Sequence, residues 1–286
     1  MIKEIFFGKE YLEEINFYRQ LGYNQEKLPN SQFENFVFER FQLENIEETS
    51  THYNAIKGKK SKVKRFFLED VENGILVTSP DGKFLLAKNY DLNSFKEIKN
   101  NLIEFNLVNI TDIKKINNDI FISFAYKKEP TDDCSYIAIA YSSLGGDKLD
   151  FDYFYKDDEC TYATNTLGGR IFPYNHNNVK GFLITTGAAD KEKDFAQDLN
   201  SFFGKICFFI LEDKKKILFS KGHRNPQGLV VSNKIILATE HGPYGGDEIN
   251  NIKFGSNYGF PISSYGEPYS FKKKKSNRPN YVLKKD

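Results

Sequence analysis

The residues best equipped for chemistry lie between Gly222 and Pro261, in the stretch GHRNPQGLVVSNKIILATEHGPYGGDEINNIKFGSNYGFP. Arg224, Asn225 and Gln227 share one tight turn held by Pro226 and Gly228, and His241 opens a second turn, HGPYGGDE. A guanidinium offers a rigid fork of donors and carboxamides offer in-plane donors and acceptors, so the set suits carboxylate or carbonyl oxygens. An ordinary surface loop needs none of these groups, and Pro and Gly neighbours fix each of them. The stretch reads as a site.

The elements that must position this site read as strands. From Arg65 onward the chain consists of short apolar bursts separated by turn signals: RFFLEDV, GILVTSP, DGKFLLAK, LIEFNLVNI, IFISFAY, SYIAIAY, GRIFPY, GFLITTG, KICFFIL, KILFSKG and GLVVSNKIILATE. SPDGKF is a hairpin signal, an Asn-Asp turn is expected inside INNDIFISFAY, and a Gly-Gly-Asp turn follows SYIAIAYSSL. Helical periodicity is almost absent after residue 65, which argues an all-β sandwich, barrel or propeller. A recurring phrase chooses among them. NGILVTSPDG, NDIFISFAYK, KGFLITTGAA and NKIILATEHG begin at residues 73, 118, 180 and 233, at intervals of 45, 62 and 53. Those intervals approach the ~40–50 residues of a four-stranded propeller blade with loop insertions.

Residues 1–62 form a separate N-terminal extension. Ile5, Phe6, Tyr11, Leu12, Ile15 and Tyr18 recur at helical spacing up to Gly22, Phe33 to Phe41 suggest an edge strand, and KGKKSKVKR reads as a solvated loop. The propeller is expected over residues 63–270 and a basic tail over 271–286. Lys+Arg 40 against Asp+Glu 39 leaves a net charge of +1, so no electrostatic footprint points to nucleic acid. The N-terminal extension leaves peripheral membrane association open. With 40% hydrophobic and 28% charged residues the chain is globular. No signal-peptide h-region is visible near the N-terminus, which favours a cytoplasmic protein or a missing leader. The bland reading of Cys134, Cys160 and Cys207 is three small core residues; the sharper one pairs Cys134 with Cys160 in an oxidising compartment.

The ordered motifs LGGRI, AQDLNSFFGKI, GHRNPQGL, TEHGPYGGDEIN and GSNYGFP together resemble the soluble quinoprotein glucose/sorbosone (aldose sugar) dehydrogenases. The resemblance covers about residues 65–270 and is strongest from 167 to 261. It implies a six-bladed β-propeller that carries pyrroloquinoline quinone (PQQ) and calcium and oxidises the C1 hydroxyl of aldoses. It further implies that Arg224, Asn225, Gln227 and His241 bind the cofactor and that the carbonyls of Gly242 and Pro243 hold a calcium. Glu248 and the backbone at Tyr258 match positions of a further, structural calcium. Family enzymes are periplasmic or exported.

Three departures accompany the resemblance. The family's general-base histidine stands two residues before Gly-Gly-Arg, where this chain has Thr166. A threonine hydroxyl does not accept a proton near neutral pH, so an inactive catalytic site is expected. The family's Thr-Gly-Asp turn reads TGAA, with Ala188 in place of the carboxylate. The family pattern calls for roughly two further blades after Pro261, so the expectation is an incomplete propeller of about four blades: a truncated reading frame, a fragment, or a diverged form closed by its extension or by a partner. The alternative function is a non-catalytic propeller that binds a cofactor, a sugar or another protein. If His223 or His241 is not a substitute base, each is a packed or hydrogen-bonded turn residue.

Overall fold

The computed structural model describes residues 66–91, 95–162, 166–188, 190–232 and 235–266, and the backbone of residues 51–54 and 59–62. The N-terminal helical pattern, the edge strand expected from Phe33 to Phe41 and the basic tail lie outside these residues. The lysine-rich run, read as a solvated loop, instead contributes β2 (Lys59–Lys62) to an antiparallel hairpin with β1 (Thr51–Asn54).

Four antiparallel sheets follow in chain order. The first holds β3 (Phe67–Val71), β4 (Gly74–Thr78), β5 (Phe84–Lys88) and β6 (Phe95–Asn100). The second holds β7 (Leu107–Ile116), β8 (Asp119–Tyr126), β9 (Tyr136–Ser143) and β11 (Asp152–Lys156). Between β9 and β11 the short β10 (Lys148–Leu149) crosses back to pair in parallel with β6. The third holds β12 (Gly168–His176), β13 (Val179–Thr186), β14 (Lys205–Ile210) and β15 (Lys216–Lys221), and the fourth β16 (Pro226–Ser232), β17 (Ile235–Glu240) and β18 (Glu248–Asn251). The first strands of successive sheets abut in the order β3, β7, β12, β16 around one axis. This is the blade arrangement of a β-propeller, with four blades among the described residues.

The four recurring phrases are the second strands β4, β8, β13 and β17. Their composition follows from burial on two faces. Ile120, Ile122 and Phe124 of β8 pack in the core shared with Leu76 and Phe84 of the first sheet, whereas Phe121 and Ala125 join Phe182 and Phe209 of the third. A strand buried on both faces has no polar side to alternate with, so it reads as a continuous apolar run. β17 departs from this. Ile236 and Ala238 pack against Leu183 and Phe208, but Ile235 and Leu237 point outward beside the exposed Val230 and Ile249.

Turn chemistry follows the residues with small corrections. The β7–β8 turn is Asn117–Asn118, with Ile116 opposite Asp119 and Asn117 in the left-handed region, so the Asn-Asp expectation shifts by one residue. SPDGKF closes the β4–β5 hairpin through a five-residue loop between Thr78 and Phe84, turning at Gly82.

The pairing of Cys134 with Cys160 settles the cysteines: their Cα atoms lie 5.8 Å apart, and Cys207 is free and buried. The bond adjoins the Ser135–Thr161 bridge, which extends the β9–β11 pairing toward Thr166.

Candidate functional site

β12 and β16 begin, and β13 and β17 end, at one end of the propeller. Antiparallel pairing therefore brings together Thr166, the turn after Thr186, the Arg224–Asn225 turn and the turn that starts at His241. Gly187 marks how closely they meet. A β-carbon there would collide with the Thr166 carbonyl and come within 2.9 Å of the Arg224 carbonyl, so no larger residue fits between them. The backbone N–H of Ala188 donates to that Arg224 carbonyl at 2.7 Å.

Arg224 is 5% exposed. Its Nη1 donates to the carbonyls of His241 and Gly242, both at 2.9 Å, and its backbone N–H donates to Oε1 of Glu240. The guanidinium thus holds the start of the His241 turn, including one of the two carbonyls expected to bind calcium. Pro243 O accepts the Gly246 N–H at 2.9 Å, and a β-carbon on Gly242 would strike the Gly246 carbonyl, so this turn is tightly wound.

Asn225 is 1% exposed, and its carbonyl accepts the His241 N–H at 3.0 Å. Its side-chain Oδ1 is fully buried without a hydrogen-bond partner among the described residues. An orphaned buried amide oxygen carries a desolvation cost of ~1–3 kcal/mol and calls for an explanation. Gln227 is exposed; its carbonyl accepts Nε of Arg170 at 2.6 Å. Its side chain lines a groove of about 370 Å³ with Thr239, Glu240, His241, Asp247, Glu248 and Ile249.

The two histidines of the stretch differ. His223 is fully buried, with Nδ1 3.0 Å from Glu240 Oε2, Nε2 2.8 Å from Ser220 Oγ and its ring stacked on Tyr258 at 4.8 Å. Both nitrogens are engaged, so His223 offers no base to a substrate. Ser220 is itself 1% exposed, which removes any reading of this Ser–His–Glu row as a nucleophile. His241 is half-exposed, and its Nδ1 sits 2.8 Å from Asp247 Oδ1, which also accepts the Gly242 N–H at 3.0 Å.

Glu248 and Tyr258, the residues matched to a structural calcium, are joined through intermediates. Asn250 Nδ2 reaches Glu248 Oε2 at 3.1 Å and Glu240 Oε2 at 3.3 Å, and Glu240 contacts His223, on which Tyr258 stacks. Burial first, then the facing Glu240, pushes the Glu248 carboxyl above its ordinary range, opposed by the Asn250 hydrogen bond. The Tyr258 hydroxyl donates to Asn251 O at 2.6 Å. Among the described residues no group of three or more His, Cys, Asp or Glu side chains is placed to hold a metal ion.

Thr166 is half-buried at the entrance to β12. The segment leading to it is anchored by the Cys134–Cys160 bond, by Glu159 accepting from Ser201 Oγ at 2.5 Å and from the Phe202 N–H at 3.1 Å, and by Glu192 accepting from Thr161 and the Tyr162 N–H. Gln197 exchanges two amide hydrogen bonds with Asn257 and donates to Phe260 O at 2.6 Å, which explains why AQDL and GSNYGFP occur together.

Sequence reasoning missed two charged groups that organise the site. One is Glu240, which no motif singled out. The other is the Arg170–Asp112 pair on the propeller axis, 2.9 Å apart, with Arg170 also above the Phe67 ring at 5.5 Å. Arg170 therefore touches all four inner strands. Burial raises the Asp112 carboxyl pKa, and the Arg170 charge works against that rise.

Fold and site define a β-propeller with its principal turns gathered at one end of the blades. The family model described as "Glucose / Sorbosone dehydrogenase" matches residues 66–282, and the chain belongs to that family. It is 30% identical to the aldose sugar dehydrogenase YliI of Escherichia coli over 52% of this chain and 44% of the relative. A solved glucose dehydrogenase is 24% identical with a TM-score of 0.59, covering 72% of this chain and 65% of that one. The PQQ-bound aldose sugar dehydrogenase of Streptomyces coelicolor is 20% identical with a TM-score of 0.53, covering 66% and 60%. At these identities the structural likenesses establish the fold. The chain spans about half the length of the E. coli relative.

Proposed function

We propose that this chain is a PQQ-binding, sugar-dehydrogenase-like propeller whose cofactor cradle is intact and whose proton-accepting group is lost. The observation that carries the reading is the orphaned Oδ1 of Asn225, buried beside the cationic Arg224. PQQ would present carboxylate and quinone oxygens that accept charge-assisted hydrogen bonds from Arg224, and a pyrrole N–H that donates to Asn225 Oδ1. Gln227 and His241 line the groove next in the chain to this turn. Gly242 and Pro243 present carbonyl oxygens that suit a hard cation such as calcium, with Gly242 O shared with Arg224. Glu248 and the Tyr258 backbone are the proposed holders of a second, structural calcium.

When bound, PQQ would supply a hydride acceptor for C1 of an aldose. This chain's own residues bind and orient, and Gly187 lets Thr166 approach the Arg224 turn. Thr166 brings a hydroxyl that hydrogen-bonds a sugar oxygen but does not take its proton at neutral pH. A general base is worth ~10²–10⁴-fold, so a weakly active or purely binding protein follows. Ala188 removes a carboxylate from the same wall.

The disulfide fits an oxidising compartment, in line with a periplasmic or exported protein. We place the propeller at residues 63–270, with an aldose as the small-molecule partner. Titration of the full chain with PQQ and calcium should shift the quinone absorbance, whereas dye reduction with aldoses should stay near background. An absent shift would remove the binding claim, and vigorous turnover with Thr166 in place would remove the lost-base claim.

A further inference from the structure

We infer that Glu240 is a positioning residue that sets the cradle through the hydrogen bonds its carboxylate accepts. This inference rests on the cradle reading above. Glu240 is 5% exposed, yet three donors from two segments converge on it. Oε1 accepts the Arg224 backbone N–H, and Oε2 accepts from His223 Nδ1 at 3.0 Å and from Asn250 Nδ2 at 3.3 Å.

The consequence is geometric. The Arg224 N–H sits one peptide before Asn225, and the Arg224 side chain returns to the two residues after Glu240, donating to His241 O and Gly242 O. Asn225 O then accepts the His241 N–H at 3.0 Å. Residues 223–225 and 240–242 are thereby laced in both directions, and among the described residues the buried side-chain atom left without a partner is Asn225 Oδ1. A buried carboxylate that receives three donors and leaves one neighbouring amide oxygen unpaired is arranged to fix where that oxygen points. His223, held from its other side by Ser220 Oγ at 2.8 Å, and Asn250, held by Glu248, keep the carboxylate from rotating.

The test is a double-mutant cycle on the full chain, read by PQQ titration in calcium from the quinone absorbance. Glu240→Gln keeps the shape but places an amide donor where only acceptors fit. It is expected to weaken PQQ binding by about tenfold, the loss of roughly one charge-assisted hydrogen bond. Glu240→Ala should weaken it further, so the glutamine acts as a partial rescue. Asn225→Ala removes the direct contact. If Glu240 acts through Asn225, adding Glu240→Gln to Asn225→Ala costs less than about twofold more. Thermal melting and near-ultraviolet dichroism confirm that each variant is folded, and Glu240→Gln is the fallback if Glu240→Ala is not. Full additivity, or unchanged PQQ affinity in Glu240→Gln while the wild type binds, overturns the inference alone. A wild type that does not bind PQQ overturns the cradle reading and the inference with it.

Discussion

The two walls of the site are built by different means. On the cradle side, Arg224, Asn225 and Glu240 are buried and laced by hydrogen bonds among residues less than twenty positions apart. On the opposite side, Thr166 follows a segment held by a disulfide, by its own Glu159 reaching Phe202 and by Glu192 from a distant loop, and its neighbour Ala188 offers only backbone. In the function proposed above, the cradle keeps the groups that bind and the wall has lost the group that moves a proton. On that proposal, ligand recognition and catalysis are separable within one propeller end, because they would sit on different blades' loops.

The largest stability effect should come from the wall. Replacing both Cys134 and Cys160 by serine opens a loop with a sequence separation of 26. The chain-entropy model puts the loss at about 3–4 kcal/mol in unfolding free energy. Denaturant titration measures it, and an unchanged midpoint would show that the wall is held without the bond.

Next, Arg170→Met leaves the Asp112 carboxylate, already costly to bury, without its cation. A loss of about 3 kcal/mol is expected, toward the low end for breaking a buried pair because Arg170 is partly solvated. Since Arg170 belongs to the wall side and also donates to Gln227 O, a change in PQQ affinity without a change in stability would blur the comparison.

On the cradle side, Arg224→Met removes a charged donor from two carbonyls and should weaken PQQ binding by at least about tenfold. Calorimetry checks it, and full retention of binding would move the cradle elsewhere.

The smallest effect is a pH slope. Lys205 is buried, its Nζ donating to Phe195 O and Phe203 O at 2.6 and 2.7 Å, and burial lowers its pKa to about 8. Between about pH 8 and its ordinary value of 10.5 the unfolded chain holds the proton that the folded one has released. Folding stability gained from this residue therefore rises with pH across that window and is least below pH 8. Melting temperatures from pH 7.5 to 10 should climb in the wild type and flatten in Lys205→Met.

Much of this was legible in the sequence because two-sided burial writes itself as apolar runs. IFISFAY and GFLITT announced the second strands and their spacing announced blades. Pro and Gly around Arg224 and His241 announced turns that hold side chains still. What was not legible depends on partners far apart in the chain. Glu240 became a hub only when β17 brought it beside His223. Lys59–Lys62 looked like a charged loop and forms a strand, since pairing is decided by a neighbour that local composition does not show. β10 left its own sheet for β6, a crossing that no local pattern encodes.

Thr166→His tests the account most directly, by dye-coupled aldose oxidation with PQQ and calcium alongside PQQ titration. The account predicts that turnover rises by ~10²–10⁴-fold while PQQ affinity stays within about twofold of the wild type. Unchanged turnover in a variant that still binds PQQ would contradict it, because the wall would then have lost more than one imidazole.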